Sequence, residues 1–179
     1  MNMKIEIYTD GSSLGNPGPG GWGSVLTTEV KGKLHCKTVS GFVPEEEWIG
    51  DEEAAIFNRN SKTKQAVEHD DGWYVQTTNN RMELQGIIWG LKAVKKKDAE
   101  VIVYADSKWA INALTGAWNV TENMDLVLEG RKVMEEFPNL IFKWVKGHSD
   151  NKWNEKANDI AILAVKERCG NVCTFEAAV

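Results

Sequence analysis

The sequence has few cysteines and no long apolar run, and each absence excludes a class of protein. Cys36, Cys169 and Cys173 form an odd set without a C-x-x-C pair, which argues against a disulfide framework and against a zinc site built on paired thiols. No window approaches the roughly 20 apolar residues that a membrane span needs. The amino-terminal MNMKIEIYTD enters a strand pattern without an apolar signal core. These absences predict a cytoplasmic protein with no membrane partner.

An excess of basic residues is also missing. The formal net charge is −5, which at first disfavours a nucleic-acid partner because duplex binding usually rests on Lys and Arg. The charge is uneven, since residues 44–72 hold nine acidic and three basic residues, whereas the rest of the chain holds 17 acidic and 18 basic residues. The acidic balance therefore belongs to residues 44–72, which we call the acidic segment. Its periodicity is poor, although residues 52–67 are compatible with a short helix.

The chain has the size of one globular domain, with 179 residues of which 42% are hydrophobic. We predict a single domain over residues 1–168 that carries the acidic segment as an insertion at about 44–72, followed by a carboxy-terminal tail over 169–179. Alternating or apolar runs predict strands at 4–9, 21–30, 33–43, 100–106 and 140–145. Helical periodicity predicts helices from 80 to about 96 and over 107–115, 124–136 and 151–166.

The element order βββαβαβα predicts an α/β fold with a mixed five-stranded sheet flanked by helices. The first three strands form an antiparallel meander with a turn at Lys31 and Gly32. The nearly continuous apolar run EVIVYAD is typical of a strand that is covered on both faces, and we expect it beside the first strand. Helical crossovers make the later strands parallel, with right-handed connections.

Acidic residues lie at the ends of these elements. Asp10 closes the first strand and Asp106 closes the fourth, so parallel neighbours would bring both carboxylates to the sheet edge where open α/β sheets bind ligands. Glu83 in the long helix and Asp159 on the last helix could reach the same point. Clustered carboxylates repel one another unless a divalent cation neutralises them. Oxygen ligands without thiols or paired histidines favour Mg²⁺ or Mn²⁺ over zinc.

Each acidic residue also has a purely structural interpretation. Asp10 and Gly11 are a common turn pair, and Asp106 precedes a helix that it could cap. Asn80 and Glu83 have the spacing of a capping box, and Asp159 could be an exposed helix charge. Taken singly, these structural roles are the commoner ones, and only the joint placement of the four residues favours a metal site.

Four stretches resemble the type 1 ribonuclease H (ribonuclease HI) family: YTDGSSLGNPGPGGWG, TTNNRMEL, YADS and WVKGHSDNKWNEKAND. The resemblance covers nearly the whole chain except the acidic segment and the tail. It implies the ribonuclease H-like fold and an endonuclease that hydrolyses the RNA strand of RNA–DNA hybrids, leaving 5′-phosphate and 3′-hydroxyl ends. The family uses two Mg²⁺ ions, for which Mn²⁺ can substitute.

On this resemblance, Asp10, Glu83, Asp106 and Asp159 match the metal-binding carboxylates, with Asp10 bridging the two ions. His148 matches a catalytic histidine on a mobile loop, which could carry protons near neutral pH. An exposed loop histidine is the alternative.

Further residues resemble positions that contact the substrate. Selecting RNA requires contacts to 2′-hydroxyls in a shallow minor groove. The matching positions are Gly11, Ser12, Asn16, Asn79 and Asn80, with Thr78 joining Asn16 at a phosphate of the DNA strand. Trp109 and Trp118 are candidates for a channel that guides the DNA strand, and a core role remains open for both.

The sequence departs from the family at two places. The interval TGAWNVTENMDLV contains no Lys or Arg, so the basic protrusion of many bacterial members is missing. The acidic segment is expected to lie away from the hybrid, since its charge would repel phosphates, and it could dock a protein partner. We expect a monomer. Two other functions stay open: a nuclease of the same fold that cuts another substrate, and an inactive domain that only binds nucleic acid. The Asn pair and the complete set of acidic residues argue against them.

Overall fold

The computed structural model describes residues 3–49, 66–147, 151–169 and 174–177. The strands are β1 (Lys4–Ser13), β2 (Gly20–Val30), β3 (Lys33–Val43), β4 (Glu46–Ile49), β5 (Ala66–His69), β6 (Gly72–Gln76), β7 (Glu100–Ala105), β8 (Leu140–Trp144) and β9 (Thr174–Ala177). The helices are α1 (Asn79–Lys92), α2 (Lys108–Thr115), α3 (Met124–Met134) and α4 (Lys152–Glu167). None of the helices among these residues is long and apolar enough to cross a membrane.

The predicted mixed five-stranded sheet is confirmed, in the order β3-β2-β1-β7-β8. β1 pairs antiparallel with β2 and parallel with β7, and the parallel register places Thr9 opposite Ala105. Asp10 and Asp106 directly follow these two residues. Both residues therefore lie at the same edge of the parallel pair, as expected. The prediction that Asp10 closes the first strand is wrong, because β1 continues to Ser13 in its pairing with β2.

The helices cover both faces of this sheet. α1 packs against β1 and β2 through fully buried Leu84, Ile87 and Leu91, which explains the apolar periodicity of this segment. The helix ends at Lys92, earlier than the predicted boundary near residue 96. α4 crosses the opposite face at β1, β2 and β3. Its backbone approaches so closely that a Cβ at Gly23 would lie 2.4 Å from the carbonyl oxygen of Ala157.

Two edges of the structure differ from the sequence-based expectation. The flanks of the acidic segment form a second sheet of three antiparallel strands in the order β4-β6-β5, with buried Ile49, Ala66 and Val75 on one face. Most of the predicted helix at 52–67 lies outside the described residues, and its end belongs to strand β5. β9 lies in the predicted tail and pairs antiparallel with β3, which adds a sixth strand to the main sheet.

Candidate active site

Three of the four predicted carboxylates meet at the carboxyl edge of the main sheet. Each of Asp10, Glu83 and Asp106 offers an oxygen atom, and these atoms lie within 4.8 Å of one another. Asp10 belongs to β1, Glu83 to the first turns of α1, and Asp106 follows β7. Asp10 and Asp106, which are distant in the chain, are therefore placed together by the parallel pairing of β1 with β7.

Local hydrogen bonds exclude two of the structural interpretations. Ser107, not Asp106, is the N-cap of α2, and its hydroxyl accepts the Ala110 N–H at 3.2 Å. Thr78 is the N-cap of α1, so Asn80 and Glu83 do not stand at the positions of a capping box. The turn interpretation of Asp10 is also wrong, because Asp10 and Gly11 lie inside β1, where they pair with Gly23 and Trp22. The Asp10 carboxylate accepts the Gly11 N–H at 2.8 Å within this strand.

Two carboxyl groups of this cluster, those of Asp10 and Glu83, bind protons more readily than ordinary acidic residues. Burial, and then the charge of Asp106, raise the pKa of Asp10 to about 7. Burial and the charges of Asp10 and Asp106 also raise the pKa of Glu83 well above its usual value. Burial is the larger cause of both raised pKa values, and repulsion by the neighbouring carboxylates adds to it.

The donor set fits a divalent cation. Glu83 Oε2 is buried without a hydrogen-bond partner among the described residues, and a buried polar atom of this kind normally has a ligand, an ion or a water to satisfy it. Three carboxylates without a thiol or a histidine form a hard oxygen site, which suits Mg²⁺ or Mn²⁺. A divalent cation would also remove the repulsion that raises both pKa values.

The structure does not bring Asp159 to this cluster. Its side chain is exposed, and it lies about 200° around α4 from Ala157 at 100° per residue. Ala157 is fully buried against Gly23, which is the register partner of Asp10. Asp159 therefore points away from the sheet, and the prediction that it joins the other three carboxylates is corrected on this geometry. Its alternative interpretation as an exposed helix charge fits the structure.

The structure relates to the cluster two residues of α4 that the sequence analysis did not select. Asn158 directly follows Ala157 and is half-buried, about 100° from the face that meets the sheet. Glu155 contributes its charge to the raised pKa of Asp10. The buried face of α4 could have been predicted from the sequence, since the alanines at 157, 161 and 164 recur on it at helical spacing.

The predicted substrate contacts from the first turn and from α1 are close together. Asn16 accepts the Asn79 N–H with its side-chain oxygen at 3.2 Å, and Gly18 donates its N–H to the Thr77 carbonyl at 3.0 Å. Gly11 is buried so tightly against α1 that an added Cβ would lie 2.5 Å from the Glu83 nitrogen. Ser12, Thr78 and Asn80 are half-buried around this junction.

The two candidate tryptophans share a groove, and Gly147, which precedes the candidate histidine, lies against the cluster. Trp109 and Trp118 line one groove of about 550 Å³. Trp109 is partly buried against the main core, whereas Trp118 is 48% exposed, so only Trp109 has a core contact. A Cβ at Gly147 would lie 2.6 Å from Asp106 Oδ2. His148 itself lies outside the described residues.

A mixed α/β sheet whose edge gathers three carboxylates, two of them buried, defines a class of divalent-metal-dependent α/β enzymes. Comparison with known proteins gives the family within this class. The family model described as RNase H matches residues 2–166. A protein named Ribonuclease H from Chlorobium phaeovibrioides is 33% identical, with 94% of this chain and 99% of that protein covered. Another from Caldanaerobacter subterraneus is 36% identical, with 93% of this chain and 94% of that protein covered.

Solved structures agree with this fold. LC9-RNase H1, described as a type 1 RNase H with the type 2 active-site motif, superposes with a TM-score of 0.68 at 22% identity, covering 97% of this chain and 79% of that one. LC11-RNase H1, solved in complex with an RNA/DNA hybrid, gives a TM-score of 0.62 at 25% identity, covering 92% and 99%. The chain belongs to the ribonuclease H family, and it is a divalent-metal-dependent enzyme of that family.

Proposed function

We propose that this ribonuclease H is an endonuclease that hydrolyses the RNA strand of RNA–DNA hybrids and leaves 5′-phosphate and 3′-hydroxyl ends. The observation that supports the proposal most is the meeting of Asp10, Glu83 and Asp106 at the edge of the sheet. The turn and helix start that carry Asn16 and Asn79 lie next to it. The hybrid bound to LC11-RNase H1 agrees with this substrate class.

Asp10, Glu83 and Asp106 would hold two Mg²⁺ ions, or Mn²⁺ in their place, and Asp10 would bridge them. When bound, two such ions activate the attacking water and stabilise the leaving 3′ oxygen of the scissile phosphate. The protein holds the three carboxylates on a strand, a helix and a strand end, which are rigid elements. Their geometry is therefore set before a metal or the substrate binds.

Substrate selection is assigned to the junction of the first turn with α1. We propose that Gly11, Ser12, Asn16, Asn79 and Asn80 contact 2′-hydroxyls or bases in the minor groove, and that Thr78 and Asn16 contact a phosphate of the DNA strand. Trp118 is the more exposed of the two tryptophans that line the groove. It would contact the DNA strand, with Trp109 packed behind it. His148 follows Gly147, which lies against Asp106, and we propose that it carries protons or helps the product leave.

The remaining proposals concern the whole molecule. Residues 1–168 would form one domain, which the family match over residues 2–166 supports. The protein would act as a monomer in the cytoplasm, because one chain supplies all the proposed site residues. The acidic segment remains a candidate surface for a protein partner.

On α4 we propose Asn158, in place of Asp159, as the residue that completes the metal site. Its amide oxygen is a hard donor like a carboxylate oxygen. Changing Asn158 to Ala is expected to lower hybrid cleavage at least about tenfold, the usual minimum for a residue that tunes a metal site. Changing Asp159 to Ala is the matched control, and its rate is expected to stay within about twofold of the wild type, as for other exposed positions. Equal loss in both variants would contradict this assignment.

The proposed function is tested by incubating the protein with a labelled RNA–DNA hybrid, duplex DNA and duplex RNA, each with Mg²⁺ or with a chelator. We expect cleavage of the hybrid's RNA strand only, and only with Mg²⁺. Asp106→Asn should abolish cleavage, because it removes a carboxylate from the cluster without changing its size. Cleavage of duplex DNA would favour a nuclease for another substrate, and binding of the hybrid without cleavage would favour an inactive binding domain.

A further inference from the structure

Helix α1, which carries Glu83, begins without a cap of its own. Its N-cap residue, Thr78, makes no side-chain capping bond, and the first turn contains no acidic residue. Helix starts normally satisfy their free N–H groups through such a cap. Here the Asn16 side chain accepts the Asn79 N–H, so contacts from other elements fix the start of α1.

The acidic segment supplies one of these contacts through Glu47 of strand β4. Glu47 Oε2 accepts from Arg81 Nε at 3.2 Å and from Arg81 Nη2 at 3.0 Å. Its Oε1 accepts from Gln85 Nε2 at 3.1 Å. The Arg81 side chain is only 2% exposed, and its Nη1 and Nη2 also donate to the carboxylate of Asp125 on α3, at 3.0 and 2.8 Å. Glu47 thus ties the acidic segment to two successive turns of α1.

The bonds of Glu47 lie on the side of α1 opposite to Glu83. Arg81 and Gln85 are each two residues away from Glu83, which places both about 200° around the helix from it. The other side of α1 packs closely against β1 at Gly11. A side chain about 5 Å from the helix axis moves roughly 1 Å when the helix rotates by about 10°. Small rotations of α1 would therefore change the distances among the three carboxylates.

Asp10 and Asp106 repel the buried carboxylate of Glu83, and this repulsion acts on α1 from the side of the sheet. On the opposite side of the helix, the bonds of Glu47 to Arg81 and Gln85 restrain the rotation of α1 about its axis. The buried Arg81 is held there between Glu47 and Asp125, and charge-assisted bonds of this type are strong and directional.

We propose that Glu47 is a positioning residue that fixes Glu83 through Arg81 and Gln85, so that the acidic segment is part of the active-site scaffold. The proposal rests on the proposed function for the role of Glu83. It adds a role in the active site to a segment that was expected to lie away from the hybrid. The rest of the segment can lie away from the hybrid while Glu47 acts from behind α1.

The experiment compares Glu47→Ala with Glu46→Ala. Glu46 is the neighbouring residue of β4 on its other face, where its carboxylate pairs with the exposed His69. Mn²⁺ is titrated calorimetrically into the substrate-free proteins, and kcat and KM are measured on the hybrid with Mg²⁺. For Glu47→Ala we expect Mn²⁺ affinity and kcat each to fall about tenfold, because misplacement by about 1 Å is costly. KM for the hybrid should stay within about twofold, as should all three values for Glu46→Ala.

Thermal unfolding separates positioning from simple destabilisation. A folded Glu47→Ala protein that melts earlier but binds Mn²⁺ like Glu46→Ala would overturn the proposal, since Glu47 would then be only structural. If Glu47→Ala does not fold, Glu47→Gln, which keeps the length of the side chain and one acceptor oxygen, is titrated and judged by the same comparison. The Mn²⁺ titration needs no substrate, so it tests the positioning role even if the wild-type protein does not cleave the hybrid.

Discussion

Replacing Asp10 by Asn is expected to abolish hybrid cleavage and, in the same protein, to raise the melting temperature of the metal-free enzyme above neutral pH. The loss of cleavage should be on the order of 10³-fold, because the bridging carboxylate of the proposed site is removed. The gain in stability follows from removing a charge that is buried and is also repelled by Asp106. An Asn side chain keeps the acceptor oxygen for the Gly11 N–H but carries no charge.

The sign of the effect with pH follows from the raised pKa. The pKa of Asp10 rises from the ordinary 3.8 to about 7 on folding, so the folded protein binds the proton more tightly than the unfolded chain. The stability of the wild type is therefore highest below about pH 4 with respect to this group and is lost as the pH rises through about 7. A shift of about 3 units corresponds to at most roughly 4 kcal/mol. The neutral asparagine of the variant behaves like the protonated form of Asp10 at every pH.

Thermal unfolding in the presence of a chelator measures this effect. At about pH 8 we expect Asp10→Asn to melt about 5–10 °C above the wild type, and below about pH 3, where Asp10 is protonated in both the folded and the unfolded chain, the difference should nearly vanish. The matched control is Asp98→Asn, the same change at an exposed position, with an expected shift of no more than about 1–2 °C. A gain that does not depend on pH, or a loss in the alkaline range, would show that the charge of Asp10 is not the cause. Saturating Mg²⁺ should reverse the order by stabilising the wild type alone.

The helices and strands that form the core could be predicted because their hydrophobic patterns lie within short stretches of the sequence. The apolar run of β7 and the periodicity of α1 placed Asp10 and Asp106 at one edge and Glu83 near them, and the structure brings these three together. Asp159 shows where this reasoning is insufficient. An acidic residue type suggested a ligand, whereas the phase of α4 relative to Ala157 decides which side chains face the sheet.

No pattern within a short stretch of the sequence predicts the second sheet or the role of Glu47. Strands β4 and β5 have four residues each and are mixed with acidic residues, so no period of two stands out. Nothing in the run Glu45 to Glu47 marks its third member. Its partner Arg81 comes 34 positions later in the chain, and Arg81 meets Asp125 only when α1 and α3 are packed. Contacts of this kind depend on the tertiary structure and cannot be derived from spacing.

Replacing Arg81 by Met is expected to destabilise the protein by about 3–5 kcal/mol, the usual cost of removing one member of a buried ionic network. Met matches much of the length of the Arg side chain, so the loss is mainly electrostatic. Asp125 and Glu47 are 16% and 26% exposed, and both carboxylates would face the vacated position without a cation. Arg81→Lys should lose less stability, because lysine keeps the positive charge and lacks only the planar guanidinium group.

Urea unfolding near neutral pH in the presence of a chelator checks this expectation. Arg131→Met is the matched control, because the Arg131 guanidinium bonds to the carbonyl oxygens of Ala113 and Leu114, and its loss should cost only about 1 kcal/mol. Adding Asp125→Asn and Glu47→Gln to Arg81→Met should restore part of the lost stability, since the triple variant leaves no unpaired charge. An unfolding midpoint for Arg81→Met equal to that of Arg131→Met would mean that the network contributes no more than ordinary hydrogen bonds. The small sheet would then be held near α1 by the backbone bond from the Thr77 N–H to the Glu45 carbonyl oxygen.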